Sequence, residues 1–214
     1  MKNRKLRILT YLLALAGILL TAALYPILPE QIPTNWNMDG TVTYGSRYTI
    51  FITAGMGLLF AVLFDILPKI DPRRKNYEKF GRFYDLFCVL MEIFMLMVNG
   101  VIITETLHPG TLSVPMFILL STGILFVVIG NFMPKFKSNF YMGIKTPWTL
   151  SSDEVWRKTH RLGGRCFFLS GLLFIICAFL PESLISLCVI AVLIVCFIPG
   201  FMSWIWWRQE QKNL

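Results

Sequence analysis

Six apolar segments, each close to the length that crosses a lipid bilayer, constrain this chain more than any other feature of its sequence. A membrane-spanning helix needs about 20 mostly apolar residues, because a rise of about 1.5 Å per residue must cover about 30 Å of hydrocarbon. Hydrophobic residues make up 56% of the 214 positions and charged residues only 15%, which is typical of membrane proteins. We therefore predict an all-α, polytopic protein with six transmembrane helices. The segments run approximately over residues 6–25, 48–67, 83–103, 115–132, 166–180 and 184–207.

The fifth segment is shorter than a bilayer requires. We expect it either to extend back through Leu162, Gly163 and Gly164 or to lie deep in the membrane interface. The link 181–183 to the sixth segment is short, so the fifth and sixth helices should form an antiparallel hairpin.

The distribution of positive charge predicts the orientation of the chain. Nineteen of the twenty Lys and Arg residues fall in the two terminal segments or in the second-to-third and fourth-to-fifth connections. Cytoplasmic segments carry such an excess, so both termini should be cytoplasmic, and Arg47 alone should lie outside. Topology and contact with anionic lipid headgroups explain the net charge of +8. We expect no direct binding of nucleic acid.

The predicted outer loop, residues 28–47, is rich in features that exclude a helix. Pro29 and Pro33 prevent a regular helix, while Trp36 and Tyr44 place large amphipathic side chains beside the bilayer. Such a loop could bind a peptide or a lipid headgroup, or it could be a compact cap over the helices. The residues that favour turns are Asn37, Asp39 and Gly40.

Three polar residues share one face of the third predicted helix. Asp85, Glu92 and Asn99 are spaced by seven residues, which places them on one side. Asp85 should reach water near the cytoplasmic end. Glu92 lies near the bilayer centre, where a charge costs roughly 2.5–3.5 kcal/mol by insertion scales. We expect it to face the bundle interior, either largely neutral or beside a wet cavity. It could move protons, hold a cationic ligand or bond neighbouring helices.

The long predicted inner segment, residues 130–165, mixes helix breakers with aromatic residues. Its first part should be an irregular loop packed at the membrane face. Ser151 or Ser152 should then cap a short interfacial helix, and Ser151 with Glu154 matches a capping box. This helix could anchor in the membrane or dock a cytoplasmic partner. One side of this helix carries Val155, Trp156, Thr159 and Leu162, while the basic residues Arg157, Lys158 and Arg161 point elsewhere.

Cysteine and histidine give no sign of metal or redox chemistry. The five cysteines lie in or beside apolar runs and include no CxxC pair, so we read them as packing residues without a disulfide. His108 and His160 lack metal-ligand spacing. There is no HExxH, GxSxG, P-loop or GxGxxG motif. We expect no catalytic residue, no metal, no cofactor and no enzyme activity.

The chain resembles the SdpI family of bacterial toxin-immunity membrane proteins. The inner run GIKTPWTL at 143–150, followed by WRKTHR at 156–161, carries the more specific part of this resemblance. The outer loop, with LPE at 28–30, WN at 36–37 and YGS at 44–46, is similar to the small membrane domain of unknown function that often precedes the family's core. We therefore predict an N-terminal three-helix domain, 1–110, and an SdpI-like three-helix core, 111–214.

The resemblance implies a bacterial plasma-membrane protein that crosses the membrane six times. The family's founding member protects its producer from a secreted killing peptide and, with toxin present, holds a small cytoplasmic repressor at the membrane. Our leading hypothesis is therefore immunity to a peptide toxin bound on the outer face. The toxin-binding or ligand candidates are Trp36, Asn37, Tyr44, Arg47, Glu92 and Asn99.

A cytoplasmic repressor would dock on the inner segment. The alternatives are a small proton-coupled transporter that uses Glu92, and a purely regulatory membrane scaffold. The docking candidates are Lys145, Trp148, Trp156, Arg157, Lys158 and Arg161.

Overall fold

A computed structural model describes residues 3–37 and 41–212 of the chain. The predicted turn at Asp39 and Gly40 lies outside the described residues. Within them the chain forms seven α-helices and one antiparallel pair of strands. Their bounds are α1 Arg4–Leu24, β1 Gln31–Trp36, β2 Val42–Ser46, α2 Ile50–Ile70, α3 Tyr77–Leu107, α4 Val114–Phe132, α5 Pro147–Ser151, α6 Asp153–Cys177 and α7 Ile185–Lys212.

Six of these helices, all except α5, are long and apolar enough to cross a membrane. The prediction of an all-α polytopic fold with six spans is confirmed, with a small β-hairpin added in the loop between the first two spans. The cytoplasmic placement of both termini stays a prediction. "Outer" and "inner" below refer to that predicted orientation.

The fifth span and the expected interfacial helix are one continuous helix, α6. The expected extension of the fifth segment back through Leu162, Gly163 and Gly164 is confirmed, and the helix begins earlier still, at Asp153. Charged residues between Asp153 and Arg165 lower the hydropathy of its first half, which is why the apolar segment looks short. A charged face does not interrupt a helix when no proline lies within it. The N-cap is Ser152, which accepts a hydrogen bond from the Val155 N–H at 3.2 Å, whereas Ser151 ends α5.

The described chain divides into two compact units. Unit 1 takes in the described part of Met1–Asp65 together with Asp85–Ile118, and unit 2 takes in Ile66–Tyr84 and Leu119–Leu214 up to residue 212. The predicted sequence domains, 1–110 and 111–214, stay a prediction.

In unit 1, α1 and α2 bury small side chains at intervals of three and four residues. A Cβ built on Gly57 would lie 3.9 Å from the Cα of Ala14, so the two helices approach closely at this point. Small residues allow such contact where lipid tails provide no hydrophobic drive for helix association. The buried small residues are Ala14, Gly17 and Thr21 on α1, and Ala54, Gly57 and Ala61 on α2.

In unit 2, α4 and α6 touch through pairs of glycines. A Cβ on Gly171 would lie 2.5 Å from the carbonyl oxygen of Gly123, and a Cβ on Gly130 would lie 2.7 Å from that of Gly164. Real Cβ atoms do not approach other heavy atoms so closely, so the two backbones are in direct contact. This contact requires glycine, whose side chain is a single hydrogen atom, at all four positions.

A disulfide joins Cys177, the last residue of α6, to Cys188 in the first turn of α7. The expectation of no disulfide was wrong. Each cysteine lies in an apolar run and reads as a packing residue, but the short link between the two helices brings their Cα atoms to 6.6 Å. That distance is within the range of disulfides. In the predicted orientation the bond lies at the outer, oxidising face of the membrane.

The glycine contact between α4 and α6 predicts that Gly130→Ala destabilises the protein. The new Cβ would lie 2.6 Å from the Phe168 backbone nitrogen, and overpacking of this kind costs about 1–3 kcal/mol. Thermal unfolding of the detergent-solubilised protein measures the effect. Gly200→Ala is the matched control, because a Cβ there meets nothing within 4 Å. Equal melting temperatures for the two variants would contradict the proposed contact.

Candidate functional site

The outer loop forms a β-hairpin. Strands β1 and β2 pair antiparallel, with Gln31 opposite Ser46 and Trp36 opposite Val42. One extra residue on β1 makes a bulge between Pro33 and Asn35. The prolines that exclude a helix are compatible with this arrangement, because strands without a further neighbour tolerate missing N–H donors.

The hairpin is anchored by a buried apolar cluster in unit 1. Ile32 of β1 is 1% exposed and packs with Leu28, Ile50 and Ile103. Arg47 reinforces the anchor, because its guanidinium donates to the Leu28 carbonyl at 3.1 Å and lies 4.8 Å above the ring of Tyr25. The predicted ligand candidate Arg47 is therefore engaged in holding the hairpin to the ends of the helices.

The hairpin brings Trp36 and Tyr44 to one face. Trp36 lies opposite Val42, and Tyr44 follows Val42 by two residues, so all three side chains share a face. Tyr44 is 55% exposed and Trp36 is half-buried. We call this surface the aromatic face.

The candidate Asn37 holds the end of the hairpin together. Its Nδ2 donates to the Thr41 hydroxyl at 2.9 Å, and its Oδ1 accepts from the Asn35 side chain at 2.6 Å. Its backbone N–H donates to the Thr41 carbonyl. Asn37 thus joins the ends of the two strands that carry the aromatic face.

The polar face of α3 is buried inside unit 1, which was predicted for Glu92. Asp85, Glu92 and Asn99 are each at most 1% exposed. Asp85 does not reach water, and that expectation was wrong because Asn3, the N-cap of α1, covers it and donates its N–H at 2.7 Å. Asn99 donates to the Thr21 hydroxyl at 2.9 Å. Glu92 and Asn99 line one small cavity and lie away from the aromatic face, within the helices.

The inner segment of unit 2 is folded around two buried side chains. Asn139 is fully buried, and its Oδ1 accepts from the N–H groups of Tyr141 and Met142 at 2.9 and 2.6 Å. Asp71, which follows α2, accepts from the Phe140 N–H at 2.9 Å. The Tyr77 hydroxyl lies 3.0 Å from Asp71 Oδ2 and 3.2 Å from Asn139 Oδ1. The irregular loop therefore satisfies its backbone with side chains.

Arg73 fastens the loop after α2 to the rest of the inner segment. Its guanidinium donates to the Leu150 carbonyl at 2.7 Å and to the Ser138 hydroxyl. The sequence analysis did not predict Asp71, Arg73 or Asn139 as residues of this site. A signal was present at Asp71-Pro72, since an Asp-Pro pair favours the start of a turn.

The family-specific run 143–150 is joined to α6 through His160. Its Nε2 accepts a hydrogen bond from the Ile144 N–H at 3.1 Å, so Nδ1 carries the proton and donates to the Trp156 carbonyl at 2.9 Å. The imidazole stacks on the Trp156 ring at 3.9 Å. Gly143 has a φ of +98°, and a Cβ there would lie 2.2 Å from His160 Nε2. Only glycine fits this position.

The threonines of the run build the short helix α5. Thr146 and Thr149 form a reciprocal capping box, which satisfies two backbone N–H groups at the start of the helix. The Thr146 hydroxyl also lies 2.9 Å from the Ser203 hydroxyl of α7. The run is thereby tied to a membrane span as well as to α6.

The docking candidates divide into buried and exposed residues. Trp156 is 3% exposed and donates its ring N–H to the Phe136 carbonyl at 2.9 Å, so it supports the loop from within. Trp148 is half-buried. The exposed candidates are Lys145, Arg157, Lys158 and Arg161.

Ion pairs neutralise part of this exposed charge. Glu154 pairs with Arg157 and lies 3.4 Å from Lys158. A separate basic pocket of about 660 Å³ opens beside the loop after α2. It is lined by Pro72, Arg73, Arg74, Lys75, Asn76, Leu150, Ser151 and Asp153.

Comparison with known proteins agrees with this architecture. Residues 135–203, which cover most of the inner segment and of the last two spans, match the model of the SdpI/YfhL protein family. Residues 12–68, which contain the hairpin, match a domain of unknown function, DUF1648. The chain therefore resembles the SdpI family in its C-terminal half and the DUF1648 domain in its N-terminal half. The predicted resemblance is confirmed in both halves, and the structure explains the SdpI run as the link between Gly143, His160 and α5.

A relative that aligns with nearly the whole chain extends the match beyond the two family segments. The chain is 25% identical over 207 residues to the Immunity protein SdpI of Bacillus subtilis (strain 168), and the alignment covers 96% of this chain and 97% of that protein. No solved structure matches the chain. With its six spans and this similarity, the chain is a multi-pass plasma-membrane protein.

The contact of Gly143 with His160 predicts a severe effect of Gly143→Ala. The substitution combines a left-handed backbone, which costs a non-glycine residue about 1–2 kcal/mol, with a clash at 2.2 Å. Thermal unfolding and limited proteolysis of the inner segment measure the loss. Gly110→Ala is the matched control, since Gly110 has a φ of +78° but open space around its Cβ. If the two variants are equally stable, the packing of His160 against Gly143 does not contribute.

Proposed function

We propose that this protein is a membrane immunity protein that protects its cell against a secreted antimicrobial peptide toxin. The observation that carries the proposal is the alignment along nearly the whole chain with a protein named for immunity. Because this alignment spans all six membrane segments, the proposal concerns the complete architecture and does not rest on one shared motif.

The aromatic face of the hairpin is the surface we assign to the toxin. Tryptophan and tyrosine are enriched among the residues that dominate binding energy at interfaces. The hairpin is held by Arg47 and the apolar cluster around Ile32, so binding there would order little additional chain. In the predicted orientation this face stands at the outer membrane surface, where a secreted peptide arrives.

The inner surface of unit 2 is where we place a cytoplasmic repressor. Lys145, Arg157, Lys158 and Arg161 are exposed and basic, and an acidic surface on the partner would complement them. Trp156 would act indirectly, by holding Phe136 and His160 in place. The basic pocket at Arg73–Lys75 would face anionic lipid headgroups, which attract cationic segments at the inner membrane surface.

The two alternatives stay predictions. A regulatory scaffold would share the inner surface but would give no protection from toxin. A proton-coupled transporter would depend on Glu92.

Immunity predicts that loss of the protein sensitises the cell to a cognate peptide and that expression in a sensitive strain protects it. Trp36→Ala or Tyr44→Ala should weaken peptide binding by about 2 kcal/mol, roughly 30-fold, because each removes an aromatic contact. The minimal inhibitory concentration of the peptide measures protection. Tyr48→Ala is a matched control, since Tyr48 is a similarly exposed tyrosine outside the two strands.

The immunity proposal fails if neither deletion nor overexpression changes killing by any secreted membrane-active peptide of related bacteria. If protection is real but unaffected by both aromatic substitutions, the toxin contacts another surface.

Repressor docking predicts that the triple change of Arg157, Lys158 and Arg161 to Ala abolishes capture of a repressor encoded beside this gene. The measurement is toxin-dependent co-purification of that repressor with the membrane protein. Arg4→Ala with Lys5→Ala is the control, because these exposed basic residues lie in unit 1. Undiminished capture by the triple variant would exclude this docking surface.

A further inference from the structure

A pocket of about 660 Å³ opens in unit 2, between the loop that follows α2 and the beginning of α6. One wall is the run from Pro72 to Asn76. The other wall is formed by Leu150 and Ser151 of α5 and by Asp153, the first residue of α6. Sites for small molecules occupy about 300–1,000 Å³, so the pocket is large enough for a ligand of that kind.

Hydrogen bonds hold the two walls in place. The Arg73 guanidinium, on the first wall, donates to the Leu150 carbonyl at 2.7 Å and so reaches the second wall. Its Nη1 atom lies 3.8 Å from Asp153 Oδ1. The Asn76 side chain donates to the Ser138 carbonyl at 2.7 Å, and Arg73 donates to the hydroxyl of the same serine. Because these bonds form without a ligand, binding would order little additional chain.

Two positive charges on the first wall are not balanced by the protein. The side chains of Arg74 and Lys75 are exposed and form no ion pair or hydrogen bond with the residues that the structure describes. Asp153 is the one acidic residue among the described residues that line the pocket, and it lies beside Arg73. A concave surface lined by charges of one sign raises the local concentration of ions of the opposite sign. The pocket should therefore attract an anion.

Apolar side chains beside the pocket indicate that this anion is part of a lipid. Phe140 is 39% exposed, and the Arg73 guanidinium lies 5.5 Å from the centre of its ring. Ile70, the last residue of α2, is 56% exposed and precedes Pro72 by two residues. Because α2 is long and apolar enough to cross a membrane, the loop that follows it lies where the hydrocarbon meets the polar headgroups. The acyl chains of a lipid would cover these apolar side chains, whereas a soluble anion would leave them uncovered.

We propose that this pocket binds the phosphate group of one anionic phospholipid of the inner leaflet. Arg74 would hold two phosphate oxygens with the parallel N–H groups of its guanidinium, and Lys75 would add a compact positive charge. Arg73 is a positioning residue, because its guanidinium already joins the two walls. Three cationic side chains and one carboxylate line the pocket, so a lipid with a net negative charge is favoured over a zwitterionic lipid.

The site gives the lipid contact proposed above a defined place and a stoichiometry of one. It rests on the proposed inner placement of this surface, and not on protection from toxin. A headgroup held between the loop after α2 and the beginning of α6 would strengthen the attachment that Arg73 already makes between them. The bound lipid should therefore stabilise the protein.

The test is thermal unfolding of the full-length protein in a neutral detergent, with phosphatidylglycerol titrated against phosphatidylcholine at equal lipid content. Phosphatidylglycerol should raise the melting temperature in a saturable way, and native mass spectrometry should retain one such lipid per chain. Arg74→Ala with Lys75→Ala should raise the phosphatidylglycerol concentration at half-saturation roughly 25-fold, because each lost cation weakens the attraction about fivefold.

Lys79→Ala with Arg82→Ala is the matched control. It removes the same charge from exposed positions of unit 2 that lie outside the pocket, so it should keep the lipid effect. If the double variant of the pocket does not fold, Arg74→Gln alone decides the question, with an expected weakening of about fivefold.

The proposal is overturned if phosphatidylcholine stabilises the wild type equally, if both double variants lose the effect equally, or if inorganic phosphate at the same concentration replaces the lipid. The second result would assign the effect to general surface charge, and the third would assign the pocket to a soluble anion. All these measurements are made without toxin, so a negative result leaves the immunity proposal standing, and a failure of immunity leaves the lipid site standing.

Discussion

The absence of water in the hydrocarbon of the membrane is the constraint on which the structure depends. A backbone N–H or C=O group there must find its partner within the protein, so each span is a helix. Because lipid tails are as apolar as leucine, helices associate through close backbone contact and polar side chains. Unit 2 uses paired glycines on α4 and α6, and unit 1 uses small residues around the buried Glu92 and Asn99.

The same requirement organises the inner segment of unit 2, where the backbone is not helical. Asp71, Asn139 and His160 accept from backbone N–H groups that no helix or sheet satisfies. Much of the family-specific run therefore serves its own folding. The exposed basic side chains of α6 project from this scaffold and remain available to a partner, which is why the docking proposal rests on them.

Unit 1 contains two different environments. The aromatic face of the hairpin is exposed and lies next to the apolar cluster around Ile32. The cavity at Glu92 is lined by residues of α1, α2 and α3.

Three results follow from the sequence alone: the number of spans, the shared face of Asp85, Glu92 and Asn99, and the resemblance to the SdpI family. These features are local or periodic, and hydropathy and residue spacing record them directly. Tertiary structure decided the continuity of α6 through a charged stretch, the disulfide between Cys177 and Cys188, and the burial of Trp156. Tertiary structure also places Glu92 beside a cavity of about 10 Å³, roughly the volume of one water-sized probe. Such features depend on which distant residues meet, and a pattern along one chain does not contain those distances.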